Sequence, residues 1–185
     1  MSYSIGVAAL LEGKAFNIVR SLEVAINEKL PKASSLNQPP HVTIKRPFVV
    51  NTRQDIEHVS RLINLVVSDE KSFNIEYNGV DSFSDKALIM PLKKPLTELK
   101  SLHRRLVGEL SRFYDCRVNF EGDAMIYHTS LATNLKGRDI ETAKAAIAEM
   151  TIPEGAVSID KIGLFLNTNN GSEWVIIEEI HLSKS

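Results

Sequence analysis

The sequence predicts an α+β fold with two lobes: two pseudo-symmetric antiparallel β-sheets, helices on their outer faces and a central cleft. Short apolar runs typical of strands alternate with longer stretches of helical periodicity. The element order of residues 5–83 also recurs in residues 87–166. A chain of 185 residues can bury one sizeable core but not several independent ones. We therefore expect a single domain over 1–185, with pseudo-repeat lobes of about 1–85 and 86–185.

The chain begins with a strand, a helix and a second strand. Residues 5–11 form a short apolar run, and Gly13 separates this run from a helical pattern over 16–30. Residues 31–40 are rich in proline and serine, which is typical of a loop. The extended pattern of residues 41–50 then predicts a strand that begins with a histidine.

A second helix and a hairpin complete the first half. The helix follows Asn51 or Thr52, either of which suits an N-cap. Alternating apolar residues over 73–77 predict a strand, and an Asn-Gly pair at 78–79 is a strong turn signal. We therefore expect residues 80–83 to fold back on that strand as a hairpin.

The second half repeats strand and helix and ends in two strands. The predicted elements cover 87–92, 96–113, 125–133, 140–150, 157–166 and 174–182. Residues 96–113 have the pattern of the longest amphipathic helix. The turn-rich residues 167–172 join the closing pair of strands. His128 occupies the same slot in this half as His41 does in the first.

Composition restricts the partners and the compartment. The formal net charge is -1, so the global field does not favour strong binding of duplex nucleic acid, while a nucleotide or an RNA end remains a possible substrate. The single cysteine, Cys116, allows neither an internal disulfide nor a cysteine-based metal site. No run approaches the roughly 18 apolar residues of a membrane span, and the N-terminus lacks a basic leader. We expect a cytoplasmic monomer without a membrane partner.

The strand at 41–50 presents a polar trio. Because alternate side chains of a strand share a face, His41, Thr43 and Lys45 point one way, and Val42 and Ile44 point the other. The apolar pair anchors the strand, and the polar trio is available for binding or chemistry.

The strand around His128 repeats the arrangement. His128 and Ser130 share one face, while Thr129 and Leu131 take the opposite face. A single His-x-Thr or His-x-Ser pair is common by chance, and a strand histidine is often structural. Two such pairs at corresponding places in similar half-chains favour a shared site.

These residue types suit metal-free cleavage of a phosphoester. Hydrolysis needs a base for the attacking water and an acid for the leaving oxygen, and two imidazoles near pH 6.5 can supply both. Hydroxyls of Thr43 and Ser130 can donate to the nonbridging phosphate oxygens. Lys45 can add a positive charge. The candidate catalytic residues are therefore His41 and His128, with Thr43 and Ser130 as phosphate-binding residues.

Residues 41–44 and 128–131 resemble the two HxTx-type motifs of the 2H phosphoesterase superfamily, whose bacterial members include 2',5' RNA ligase-like cyclic phosphodiesterases. The resemblance implies the bilobal fold, no metal and no cofactor. It also implies a 2',3'-cyclic phosphate or 2',5'-linked RNA or nucleotide substrate, with RNA ligation as the reverse reaction. Similar enzymes use the second histidine as base and the first as acid, here His128 and His41. Ser130 stands where the family most often has Thr, and it keeps the hydroxyl.

Three other residues near the motifs suit either substrate binding or a structural role. Tyr127 or Phe48 can stack on a base and Arg46 can meet a terminal phosphate, but each is equally suited to packing or to a solvated rim.

The remaining histidines show no HExxH spacing, and we expect them on helix faces and the last strand as structural or exposed residues. They are His58, His103 and His181.

The main alternative function is an RNA or nucleotide-binding module that keeps the fold without turnover. The presence of both histidines argues against it. An interaction scaffold is a second alternative, and no sequence feature specifically supports it. A serine hydrolase is disfavoured because no GxSxG elbow occurs, and the glycines form neither a Walker loop nor a dinucleotide loop.

Overall fold

A computed structural model describes residues 2–33, 35–167 and 173–184. Within these residues it has four α-helices and nine β-strands. In chain order they are β1 (Tyr3–Leu10), α1 (Gly13–Lys29), β2 (His41–Val50), α2 (Arg53–Val67), β3 (Phe73–Ile75), β4 (Asp81–Phe83), β5 (Ala87–Pro91), α3 (Thr97–Leu110), β6 (His128–Ala132), α4 (Asp139–Ile147), β7 (Val157–Ile159), β8 (Lys161–Asn167) and β9 (Val175–His181).

The strands form antiparallel sheets, which confirms the predicted fold class. A four-stranded sheet has the order β2-β1-β8-β9, a three-stranded sheet has the order β4-β5-β6, and β3 pairs with β7. β2 and β6 therefore each lie at the edge of a sheet. β2 also contacts β6, so the two sheets meet along the strands that carry the histidine motifs.

The helices pack in pairs and bury apolar faces against the sheets. α1 packs on α4 and beside β6, and α2 packs on α3, which lies beside β2. On α1 the fully buried positions Val19, Leu22 and Ile26 recur every three or four residues, as expected for one face of a helix. These faces join the inner sides of the sheets in one large apolar cluster. This common core holds β2 and β6 beside each other.

Strand pairing crosses the boundary near residues 85 and 86 in both directions. β8 belongs to the second half but pairs with β1, and β9 pairs with β8, while β4 belongs to the first half but pairs with β5. The two sheets are therefore not contiguous in sequence. Duplication of the two halves stays a prediction.

The predicted hairpin around residues 78–79 is wrong. Phe73 and Ile75 pair with Ile159 and Val157 of β7, and β4 pairs with β5 instead of β3. The turn itself exists, since Gly79 has a φ of 77° that favours glycine. Burial of the alternating apolar residues against β7 directs the strand to a partner that is remote in sequence.

Several element bounds are sharper than predicted. Thr52 is the N-cap of α2: its Oγ1 accepts from the Asp55 amide at 3.0 Å, and Asp55 accepts in return from the Thr52 amide at 2.9 Å. The longest helix is α1 with 17 residues, not α3, because α3 ends at Leu110 in turns with i→i+3 hydrogen bonds.

The predicted closing strand over 157–166 is two strands, β7 and β8, with different partners. β8 pairs with β9, as expected for the closing pair. The predicted turn residues 168–172 lie outside the described residues.

Candidate active site

Side chains alternate over residues 41–44 of β2 and 128–131 of β6 as the sequence predicts. On β2, Val42 and Ile44 are fully buried, while His41 and Thr43 are partly exposed. On β6, Thr129 and Leu131 are buried, while His128 and Ser130 are partly exposed. The buried residues of each strand pack into the core, so the polar residues face the junction between the two sheet edges.

One cavity joins residues of both motifs. It has a volume of about 340 Å³, and His41, Thr43 and Ser130 lie in its lining. His128 lies one alternate position before Ser130 on β6, and its charge acts on His41 across the junction. The structure thus brings the four predicted site residues together at one place.

Both imidazoles are held in the same way. His41 Nδ1 lies 2.8 Å from the Pro39 carbonyl oxygen, and His128 Nδ1 lies 2.7 Å from the Ile126 carbonyl oxygen. A carbonyl oxygen only accepts, so Nδ1 carries the proton and donates in each ring. Nε2 of each neutral imidazole is then left with a free lone pair. The two rings are prepared for proton transfer at Nε2.

The surroundings favour the neutral form of both rings. Burial lowers the pKa of His41 from its ordinary value, the bond to Pro39 opposes this effect, and the nearby His128 adds to it. Burial also lowers the pKa of His128; the bond to Ile126 opposes this, and the charge of Arg46 adds to the lowering. Of the two rings, His128 is thus the one beside a fixed cation.

Each histidine also packs against a phenylalanine. The ring of His41 lies 4.9 Å from that of Phe165 on β8, and the ring of Phe83 on β4 stacks on His128 at 6.3 Å with an interplanar angle of 15°. These contacts restrict the rotamers of both imidazoles. Each phenylalanine comes from the same sheet as its histidine.

Comparison with known proteins agrees with this arrangement. The family model described as the 2'-5' RNA ligase superfamily matches residues 13–171, which is most of the chain. The chain belongs to the 2'-5' RNA ligase superfamily. This result confirms the resemblance to 2H phosphoesterases that the two motifs indicated.

Several solved structures share the fold over nearly the whole chain. E. coli LigT complexed with 3'-AMP matches with a TM-score of 0.69 and 13% identity, covering 98% of this chain and 99% of LigT. TT0787 of Thermus thermophilus matches with a TM-score of 0.69 and 12% identity, covering 98% and 99%. Usb1 of Kluyveromyces marxianus matches with a TM-score of 0.55 and 14% identity, covering 98% of each chain. No curated protein sequence matches significantly.

Membership in this superfamily of phosphoesterases and RNA ligase-like enzymes supports an enzymatic activity.

No three His, Cys, Asp or Glu side chains among the described residues group together as a metal site requires. Within residues 2–33, 35–167 and 173–184, no helix combines the length and apolar character needed to cross a membrane.

The hypothesis that Lys45 adds a charge to the cleft is wrong. Its side chain is completely buried, and its Nζ donates to Glu121 Oε1 at 2.9 Å and to the Arg46 carbonyl at 2.8 Å. A shift in the β1–β2 register between Val7 and Ile5 lies opposite this part of β2 and breaks the simple alternation. Lys45 therefore neutralises Glu121 in the interior.

Tyr127 and Phe48 are core residues and not stacking platforms. Tyr127 is 2% exposed, with its hydroxyl donating to the Leu99 carbonyl at 3.4 Å, and Phe48 is 3% exposed and packs near Tyr114. Each lies at one of the alternate positions of its segment whose side chains point into the core. Arg46 remains partly exposed; it donates to the Asn119 carbonyl and acts electrostatically on His128.

The other three histidines lie where the sequence predicts, on α2, α3 and β9. His103 is buried and links two segments: Gly122 N donates to its Nε2 at 3.3 Å, so Nδ1 donates to the Ile44 carbonyl at 2.8 Å. It anchors the back of β2. His58 Nδ1 lies 2.8 Å from the Tyr114 hydroxyl, and His181 is exposed.

Sequence reasoning missed four residues at the site: Phe165, Phe83, Glu23 and Trp174. Phe165 belongs to a small apolar cluster with Ala8 and Leu10, and Trp174 packs on this cluster. Glu23 and Trp174 line the 340 Å³ cavity. Phe165 and Trp174 reach the site because β8 pairs with β1 and β9 pairs with β8, and Glu23 reaches it because α1 packs beside β6. The local sequence carries no signal for these long-range contacts.

Proposed function

We propose that the protein is a metal-independent phosphodiesterase that hydrolyses a 2',3'-cyclic phosphate or a 2',5'-linked RNA or nucleotide. The observation that carries this proposal is the matched hydrogen bonding of His41 and His128, which leaves Nε2 of both rings available beside one cleft. LigT supports the substrate class, since its structures hold 3'-AMP, ATP and NADP+.

In the proposed reaction His128 is the general base. Its Nε2 takes a proton from water, and the water oxygen attacks phosphorus. The positive charge of Arg46 supports this role because it disfavours the protonated form of His128 and keeps the lone pair on Nε2 available.

His41 is the proposed general acid. As the bond between phosphorus and the leaving ribose oxygen breaks, His41 Nε2–H gives its proton to that oxygen. Burial disfavours the required imidazolium in the free protein, and the negative phosphate supplies the charge that favours it once substrate binds. In the proposed ligation a 5'-hydroxyl replaces water and the two roles are exchanged. His41 Nε2 takes the proton of that hydroxyl, its oxygen attacks the phosphorus of a 2',3'-cyclic phosphate, and His128 protonates the ring oxygen as its bond to phosphorus breaks.

Thr43 and Ser130 bind the phosphate in this mechanism. Their hydroxyls lie in the lining of the same cavity on opposite strands, which suits donation to the nonbridging oxygens from two sides. The charge on these oxygens rises in the transition state, so the donors accelerate the chemical step more than they tighten substrate binding.

Hydrolysis of a 2',3'-cyclic nucleotide with excess chelator tests the proposal. We expect turnover by the wild type and a loss of about 10²–10⁴-fold in kcat in His41→Ala and His128→Ala. His181→Ala, an exposed histidine on β9, is the matched control. Activity abolished by the chelator, or unchanged in both site variants, contradicts the mechanism.

A substrate panel separates the remaining alternatives. Scoring 2'- against 3'-phosphate product defines the bond that breaks, and 2',5'-linked oligonucleotides test the second substrate class. Binding of RNA ends without hydrolysis of any phosphodiester in the panel would instead favour the non-catalytic binding module.

A further inference from the structure

Two buried side-chain atoms in the described residues have no hydrogen-bond partner, and both line the same cavity. They are Glu23 Oε2 and Ser35 Oγ. Buried polar atoms are nearly always hydrogen-bonded in folded proteins, so each exception calls for a ligand or water. This cavity, lined by Glu23, Ser35, Asn134 and Trp174 and continuous with the catalytic residues, is called the Glu23 cavity below.

One oxygen of the buried Glu23 carboxyl lacks a hydrogen-bond donor. Glu23 lies on α1 with 2% of its side chain exposed, and Arg20 Nη1 approaches Oε2 at 2.8 Å without hydrogen-bond geometry. The Arg20 guanidinium instead donates to the carbonyls of Leu36 and Gln38. Burial raises the pKa of Glu23 to about 8, and the charge of Arg20 opposes the shift. The carboxyl therefore has capacity for a donor from a ligand.

The burial of Glu23 restricts what this donor belongs to. Burial favours the neutral carboxyl, which offers no positive charge to a second phosphate group, so an uncharged part of the substrate fits better. Arg46 lies five residues beyond His41 on β2, away from the residues that form the Glu23 cavity. The negative extension of a substrate is attracted to that end of the strand.

The shape and lining match a nucleobase. About 340 Å³ falls within the range of small-molecule sites, roughly 300–1,000 Å³. Trp174 supplies an aromatic surface for stacking, while Ser35, Asn134 and Glu23 supply hydrogen-bonding groups. A nucleobase has both a flat face and N–H donors at its edge, whereas a ribose has only hydroxyls.

We infer that the Glu23 cavity is the nucleobase subsite, and that Glu23 determines base specificity by accepting an N–H hydrogen bond from the edge of the base. This inference rests on the proposed function, which puts the phosphate between Thr43 and Ser130. It fixes the direction of the substrate: the base lies toward α1, and the nucleotide chain extends toward Arg46.

Binding of nucleoside 3'-monophosphates tests the inference without requiring turnover. Trp174 is the only tryptophan of the chain and lines the cavity, so its fluorescence reports occupancy directly. The probes are the four 3'-nucleotides and the base-free methyl riboside 3-phosphate. We expect the wild type to bind at least one nucleotide about tenfold or more tightly than the base-free probe, which corresponds to one good contact.

Glu23→Leu keeps the approximate size of the side chain and removes both carboxyl oxygens. We expect the affinity ratio of the preferred nucleotide to the base-free probe to fall about tenfold. Glu28→Leu, on an exposed position of the same helix, is the matched control and keeps the wild-type ratio. Ser35→Ala removes the other unpartnered atom without a folding cost, and calorimetry should show the same ratio falling about fivefold.

The outcomes separate this inference from the proposed function. Equal affinity for nucleotides and the base-free probe overturns the inference, as does an equal loss of both affinities in Glu23→Leu and Ser35→Ala. A maintained ratio without hydrolysis of any cyclic phosphate overturns the proposed function alone. Absence of binding by every probe overturns the inference.

Discussion

The ring of Phe165 lies 4.9 Å from the imidazole of His41, at an interplanar angle of 41°. Phe165 is 4% exposed and comes from β8, which reaches this position only by pairing with β1. It is one of the groups that remove His41 from water, and removal from water is the main reason that the pKa of His41 is lowered.

Replacing Phe165 with leucine should therefore raise the pKa of His41 toward its ordinary value. The smaller side chain keeps the cluster with Ala8 and Leu10 apolar but lets water reach the ring. NMR titration of the His41 ring protons measures the change. Phe83→Leu is the matched variant beside His128. It should raise the pKa of His128 and leave that of His41 unchanged. An unchanged titration of His41 in Phe165→Leu would assign the lowering to other groups.

The pH dependence of kcat/KM should be bell-shaped, with its maximum on the acid side of pH 6.5. A neutral base and a protonated acid are both required, and the pKa of each histidine in the free protein is lowered. Activity thus declines as pH rises and His41 loses its proton, and it declines in stronger acid as His128 gains one. Bound phosphate favours the protonated forms, so the maximum of kcat should lie at higher pH. A flat profile between about pH 5 and 9 would count against paired histidine catalysis.

Removing either phosphate-binding hydroxyl should slow the chemical step. We expect Thr43→Ala and Ser130→Ala each to lower kcat by roughly 10²-fold with a smaller change in KM. Ser130→Thr keeps a hydroxyl and should retain most of the activity. Steady-state kinetics on a cyclic nucleotide measures these effects.

Thr129 is the control for a hydroxyl on the other face of β6. Its Oγ1 lies 2.8 Å from the Tyr77 hydroxyl in the interior. Thr129→Val should cost about 1–3 kcal/mol of unfolding free energy, because it leaves the tyrosine without its partner, and should spare kcat. Loss of turnover in Thr129→Val with unchanged turnover in Ser130→Ala would reverse the assignment of faces.

The buried ion pair behind β2 should matter for stability. Glu121 accepts from Lys45 Nζ and from the Arg46 amide, both at 2.9 Å. Glu121→Gln leaves the ammonium of Lys45 buried without a counter-charge, and we expect a loss of about 3–5 kcal/mol in the free energy of unfolding. Urea denaturation measures this loss.

Glu76 provides the exposed comparison, since its ion pair with Lys93 at 3.2 Å lies in solvent. Glu76→Gln should change the unfolding free energy by less than about 1 kcal/mol. Equal effects of the two substitutions would mean that the interior pair is solvated in the folded protein.

The sequence by itself determined the strands that carry His41 and His128, and it placed these histidines, Thr43 and Ser130 on the faces that point away from the core. These features depend on local chemistry, since an alternating pattern with buried Val42, Ile44 and Leu131 specifies a face within a few residues. The N-cap of α2 was also predictable, because Thr52 and Asp55 satisfy each other within one turn.

The tertiary structure alone decided what surrounds those strands. Phe73 and Ile75 pair with β7 across more than eighty residues, β8 brings Phe165 to His41, and α1 brings Glu23 to the cavity. Lys45 lies at an alternate position from His41 and Thr43, so the strand pattern predicts that it faces the cleft. It is buried instead, because the β1–β2 register is irregular there and Glu121 pairs with it in the interior. Such contacts depend on burial of apolar area and on charge pairing between remote segments, and neither leaves a periodic pattern in the local sequence.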